Sequence, residues 1–409
     1  MTAIALLASA MFAAAASAGE YGATVDGKLV FGAAGDGRGV ELWRTDGMKR
    51  GTKRVKDVNP GPAGSYPFSF ARLGKHVYFG AESAVSDGEL WRSDGTPGGT
   101  RLVKRIKTGF DGYGPVGLTR LGKRIYFSAD DGEHGRELWR TDGTRRGTKM
   151  VRDIAPGEEG SGPDEIGRLG KRIYFQAYGP DGDMELWMSD GTPARTKLLK
   201  NIDPVGGSFP SDFTRLGKKL YFRAHQAGFG TELWRTNGKP AGTQRVKDIY
   251  PGEEASHPTQ IERLGKRLYF RADDGESGDE LWRTNGTAAG TRLVKDVNPG
   301  SDGSNPFYLE RLRDRILFRG FSADGRADLW RTDGTRRKTK LVKVINPDAM
   351  GASQLCGLTR FRGHVYFQGD DGQTGAELWR SDGTAGGTDL FRNLIPGPLG
   401  STPFCHSES

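Results

Sequence analysis

The chain has 409 residues but only 2 cysteines, 6 histidines and 7 methionines. So few cysteines exclude a disulfide-dense scaffold. The histidines (His76, His134, His225, His257, His364 and His406) show no metal-like spacing, and no Cys/His cluster exists. Long apolar runs are also missing. Beyond the first 18 residues nothing approaches the roughly 18 apolar residues that a spanning helix needs. Hydrophobic content is only 35%, and helix formers do not dominate.

Glycine is abundant, at 63 residues. β-Branched and aromatic residues come in short runs bounded by Gly, Pro, Asp and Asn, the texture of many short strands joined by tight turns. The N-terminal stretch MTAIALLASAMFAAAASA is apolar and ends in Ala16-Ser17-Ala18 before Gly19. It reads as a secretory signal over 1–18, leaving 19–409 as a secreted chain, extracellular or periplasmic, with no transmembrane anchor after signal removal. In an exported protein the pair Cys356 and Cys405 makes a disulfide the default. The pair lies 49 positions apart, a loop worth roughly 4 kcal/mol in the chain-entropy model. The net charge of +9 favours acidic partners, and export argues against nucleic acid.

All 8 tryptophans (Trp43, Trp91, Trp139, Trp187, Trp234, Trp282, Trp330 and Trp379) recur at spacings of 47 to 49 residues. A period in that range marks propellers and arrays. In the third copy the strand-like segments are the run before Arg120-Leu121, then KRIYFSA, ELWRT and TKMVRDI, separated by Gly-rich or Asp-Gly turns. Four antiparallel strands per period is one propeller blade. The tail PGPLGSTPF begins a further blade, and ATVDGKLVFGA (23–33) continues one, so head and tail together close a ring. The fold expected is an all-β, closed, monomeric propeller of eight four-stranded blades. Cys356 and Cys405 would occupy nearly equivalent innermost-strand positions in it.

The repeated ELWxxDGTxxGT, followed by V-K-D-I-x-P-G-x-x-G-S and L-G-x-x-x-Y-F-x-A, resembles the ELWxxDGT repeat proteins, a bacterial family also called hyalin-like. The resemblance covers essentially the whole mature chain. Departures are local: Asn237 and Asn285 at the turn Asp, Met48 and Lys239 at the turn Thr, Asp328 at the Glu, and Arg195 and Lys338 at the second Gly. The resemblance implies export and a propeller-like body but no established reaction.

A motif present in every blade is explained by what every blade needs: Leu and Trp to pack, Asp-Gly to turn, Thr to bond the loop. No nucleophile with its base can be nominated, so no catalytic residue is assigned and no cofactor is required. Calcium stays open as a cofactor because acidic Gly loops recur (Asp130, Asp131 and Glu133; Asp181 and Asp183; Asp273, Asp274, Glu276 and Asp279; Asp370 and Asp371), although the Asp-x-Asp-x-Asp-Gly spacing is absent.

Charge is distributed unevenly. The first turn of each blade is basic, including Arg120, Lys123 and Arg124; Arg168, Lys171 and Arg172; Arg215, Lys218 and Lys219; Arg263, Lys266 and Arg267. In a four-stranded blade this turn lies on the face opposite the acidic loops. The expectation is therefore a non-catalytic exported propeller that binds an anionic polysaccharide or envelope surface, or another exported protein, through its basic face. The alternatives are a structural or assembly module, or a hydrolase or lyase with its site where the repeat breaks: GFDGYGPVG (109–117), HQAGFG (225–230) or GFSADG (320–325).

Overall fold

The computed structural model describes residues 21–35, 38–84, 86–107, 114–348, 355–397, 400–401 and 403. Residues 1–18 and Cys405 lie outside them. The described chain forms eight four-stranded antiparallel sheets, each with its strands in sequence order. Numbered along the chain, blade 1 spans 22–56, blade 2 68–105, blade 3 116–152, blade 4 164–200, blade 5 211–247, blade 6 259–295, blade 7 307–343 and blade 8 356–392. The eight blades close into the expected β-propeller. Four single helical turns are the only helices among the described residues, and none is long and apolar enough to cross a membrane.

Alternation along the strands decides which side chains are buried. In blade 3, Phe127 pairs with Trp139 and Ile125 with Thr141, in register across the two central strands. Every hydrophobic cluster bridges two neighbouring blades. One joins Tyr126, Leu138, Val151 and Ile154 of blade 3 and its link to Ile173, Phe175 and Trp187 of blade 4. Another joins Phe361, Tyr366, Leu378 and Phe391 of blade 8 to Leu29, Phe31 and Trp43 of blade 1. Each buried aromatic of this kind contributes about 1.5–3 kcal/mol.

The repeated polar residues are clasps between these surfaces. Lys104 Nζ donates to the Thr148 carbonyl at 3.0 Å and stands 5.0 Å over the Trp139 ring of the next blade. Lys200, Lys247, Lys295 and Lys343 repeat both contacts around the ring. The Glu of ELW is buried and, in blades 1, 3, 4, 5, 6 and 8, faces its own blade's outgoing link, whereas Glu89 of blade 2 pairs with Arg105. Glu137 accepts from Ala155 N–H (3.1 Å), Ser161 N–H (3.0 Å) and Ser161 Oγ (2.7 Å). The link serine then gives its carbonyl to the next blade, as Ser161 does to Tyr178 N–H at 2.8 Å. Ser401 does both for the last junction, bonding Glu377 at 2.6 Å and accepting from Ala34 N–H of blade 1 at 2.9 Å.

The innermost strands of blades 2 to 8 carry a bulge near their start. Ser69, Glu165, Asp212, Gln260 and Tyr308 take φ values of 53° to 59° there. Their side chains hand the ring on: Asp212 N–H donates to Glu165 Oε2 (3.1 Å), Gln260 N–H to Asp212 Oδ1 (2.8 Å), and Tyr308 N–H to Gln260 Oε1 (2.8 Å).

Candidate functional site

The turns between first and second strands, with those between third and fourth, form one face, where Arg362 of blade 8 donates to the Asp46 carbonyl of blade 1 (2.8 Å). The basic residues do lie on this face, but they do not converge. Arg120, Arg215 and Arg263 bend back so that each Nε donates to a carbonyl of its own turn, at Gly122 (3.0 Å), Gly217 (2.9 Å) and Gly265 (3.1 Å). Arg168 donates to the Arg120 carbonyl of the preceding blade at 3.1 Å. Lys123 and Arg124 of blade 3, Lys171 of blade 4 and Lys218 of blade 5 are exposed, and Arg172 and Lys219 are half-buried. Lys266 and Arg267 share a depression of about 750 Å³ with Arg311, Arg313, Asp314 and Asp333. Guanidinium groups engaged by turn carbonyls are in part turn-closing devices, one per blade, rather than one ligand site.

The acidic loops are likewise closed on themselves. Asp131 Oδ1 accepts from Glu133 N–H and His134 N–H, both at 3.0 Å, and Asp130 pairs with Lys107 at 2.9 Å. Among the described residues no three His, Cys, Asp or Glu side chains converge as metal ligands would.

A cavity of about 540 Å³ opens on the opposite face, at the repeat break HQAGFG. Asp203 enters from the link after blade 4, Arg223, His225 and Ala227 from blade 5, and His257 from the link after blade 5. The local reason is substitution within the repeat. At the link position of Asp203 other blades carry Asn59, Ala155, Tyr250, Asn298 or Asn346, and at that of His225 they carry Asp130, Tyr178, Asp273, Phe321 or Asp370. The two exceptions meet: His225 Nε2 lies 3.5 Å from Asp203 Oδ2, which is buried. The backbone of His225 is held by Ser208 O at 2.8 Å, while Ser208 Oγ is tied to Glu185 and is not a free nucleophile. Burial, aided by the charge of Arg223, holds His257 below the ordinary imidazole value, so it stays neutral at physiological pH. Arg223 itself lies 3.5 Å from Asp212, whose carboxyl is raised by burial against that pull.

His225 lies within a segment singled out from the sequence, whereas Asp203, Arg223 and His257 were missed. Their signal was positional, one acid and one imidazole where the repeat otherwise puts neither. Of the other breaks, 109–113 lies outside the described residues, and 320–325 belongs to blade 7, away from this cavity. A second missed pair lines the inner strands. Glu262 and Glu310 occupy one register position in blades 6 and 7, where other blades place Ala71, Thr119, Gly167, Thr214 or Thr359. Burial pushes Glu262 up to about 7 and, with the charge of Glu262 added, Glu310 up to about 8.

No protein-family model matches the chain, and no curated protein matches its sequence. Solved structures do resemble it. A computationally designed protein, Ika8, is 14% identical with a TM-score of 0.50, over 82% of this chain and 89% of that one. A puromycin-hydrolysing peptidase of Mycobacterium tuberculosis is 16% identical with a TM-score of 0.52, over 82% of this chain and 54% of the peptidase. Prolyl oligopeptidase B of Galerina marginata is 11% identical with a TM-score of 0.52, over 82% and 52%. The chain spans about half the length of these peptidases, and identities this low show the fold alone. The expectation of a non-catalytic binding propeller is nevertheless corrected. Two of the natural structures it resembles are peptidases, and a cavity with paired imidazole and carboxylate lies on the face opposite the basic turns.

Proposed function

We propose that this protein is a propeller hydrolase acting on an amide or ester in the cavity around His257, His225, Asp203 and Arg223. The carrying observation is the convergence of two imidazoles and a buried carboxylate, none of them repeated in other blades, with a guanidinium in one pocket. In this reading neutral His257 takes a proton from the attacking water. Arg223, held by Asp212, turns N–H donors to the developing oxyanion, and His225, oriented by Asp203, returns a proton to the leaving group. Two similar structures, a puromycin hydrolase and a prolyl oligopeptidase, suggest the first substrates to try: puromycin and prolyl naphthylamide. The proposed setting is outside the cytoplasm, supported by the leader-like 1–18 and by Cys356 and Cys405, which we propose to be disulfide-linked.

The test is naphthylamine release and puromycin cleavage by the full chain, followed across pH. His257→Asn and His225→Asn are each expected to lower the rate about 10²–10⁴-fold. Because the base works unprotonated and its pKa lies below 6.5, the rate should fall as pH drops below that value. No turnover above buffer, or equal turnover in both variants, would sink the proposal.

A further inference from the structure

Three consecutive blades place an arginine at one register position of the second strand: Arg223 opposite Leu233, Arg271 opposite Leu281 and Arg319 opposite Leu329. The first two are neutralised. Arg223 lies 3.5 Å from Asp212 of the innermost-strand bulge, and Arg271 lies 2.5 Å from Asp279, the residue just before ELW. Blade 7 has lost both acids. Tyr308 stands at the bulge position of Asp212, and Ala327 stands at the position of Asp279. Among the described residues, the ionisable groups whose charge reaches Arg319 are the Tyr308 and Tyr21 phenols and Arg271, and no carboxylate is among them.

What surrounds Arg319 instead is aromatic. Its guanidinium lies 5.5 Å from the Phe307 ring centre, 5.6 Å from Tyr308 and 5.7 Å from Phe321, and Tyr21 packs edge-on against Tyr308 at 6.0 Å. Ring contacts favour a cation but satisfy none of the five N–H donors of a guanidinium, and Nε is buried without a partner. A half-buried charge without a counter-ion is costly, so this arrangement stands ready for an anion supplied from outside.

We propose that Arg319, with the rings of Phe307, Tyr308 and Phe321, is a binding site for a single carboxylate attached to an apolar or aromatic group. The class follows from charge and shape. With Arg223 and Arg271 already paired, the site has one uncompensated positive charge, which suits a monoanion. A planar carboxylate matches one guanidinium fork, whereas a tetrahedral dianion would need a second free cation. The rings offer apolar surface to whatever carries the carboxylate. This site lies two blades from His225 and stands independently of the hydrolase reading.

The test is isothermal titration of the full chain, near neutral pH and at low salt, with hippurate, with its uncharged amide and with inorganic phosphate. Hippurate should bind saturably, and the amide and phosphate at least about tenfold more weakly. Arg319→Met should weaken hippurate binding by at least about tenfold. Ala327→Asp should do the same by building in blade 7 the ion pair that blade 6 already contains, so it serves as a folded control should Arg319→Met not fold. Equal affinity for acid and amide, preference for phosphate, absence of hippurate binding, or unchanged binding in Ala327→Asp would each overturn the proposal.

Discussion

A carboxylate that loses water without gaining enough donors keeps its proton, and Glu310 and Glu262 are in that position. Their pKa values in the fold, about 8 and about 7, stand above the ordinary 4.5, so the folded protein holds protons that the unfolded chain releases. Their contribution to stability is therefore complete below about 4.5 and is lost as pH rises through about 7 and then about 8. Melting curves from mildly acidic to mildly alkaline pH should show this decline. Glu310→Gln should flatten it, adding on the order of 2 kcal/mol above the Glu310 pKa and almost nothing in acid. Legibility at this scale was partial. The two acids were plain exceptions in an otherwise ARL, TRL or GRL position, but that the position is desolvated depends on the neighbouring blades. The same applies to His225 and Asp203, which lie 22 positions apart in the chain and meet only because link and loop share a face.

The blade is the element that the repeated motif builds, and its parts fail in distinguishable ways. Glu137→Ala would leave two N–H groups and a hydroxyl of the link unsatisfied, costing about 2–4 kcal/mol in urea unfolding. Gly143→Ala tests the turn. Its φ is 93°, and an added Cβ would stand 2.1 Å from the Tyr78 hydroxyl of the preceding blade, so a loss of at least about 2 kcal/mol is expected. Strand order, turn positions and the packing role of Leu and Trp were all readable from period and alternation. The role of the Glu was readable only in outline. Its partnership with a serine 24 positions later requires the link to fold back over the strand.

At the scale of the whole molecule, stability depends on closing the ring, since an open end would expose a sheet edge and an apolar face. Ser401 bonds on both sides of the last junction, and buried Cys356 opens the first strand of blade 8. Peptide mapping without reductant should recover a Cys356–Cys405 linked pair. Reduction should lower the melting temperature by an amount corresponding to up to roughly 4 kcal/mol. Hydrogen exchange should then rise first at the junction of blades 8 and 1. A reduced protein with unchanged melting would show that the clasps and apolar contacts of that junction are sufficient without the bond.

The amino-acid sequence by itself determined the number of blades, their four strands and their turns, because periodicity and hairpin chemistry are local and repeat eight times. It also determined which face is basic, since the sidedness of alternate turns follows from antiparallel order. Only the tertiary structure decided which side chains meet. The cavity of His225, His257 and Asp203, and the unpaired Arg319 with its rings, are assembled from single departures in different repeats. Such departures are visible against the repeat, but they acquire meaning only when blade packing sets which of them face each other and which lose water.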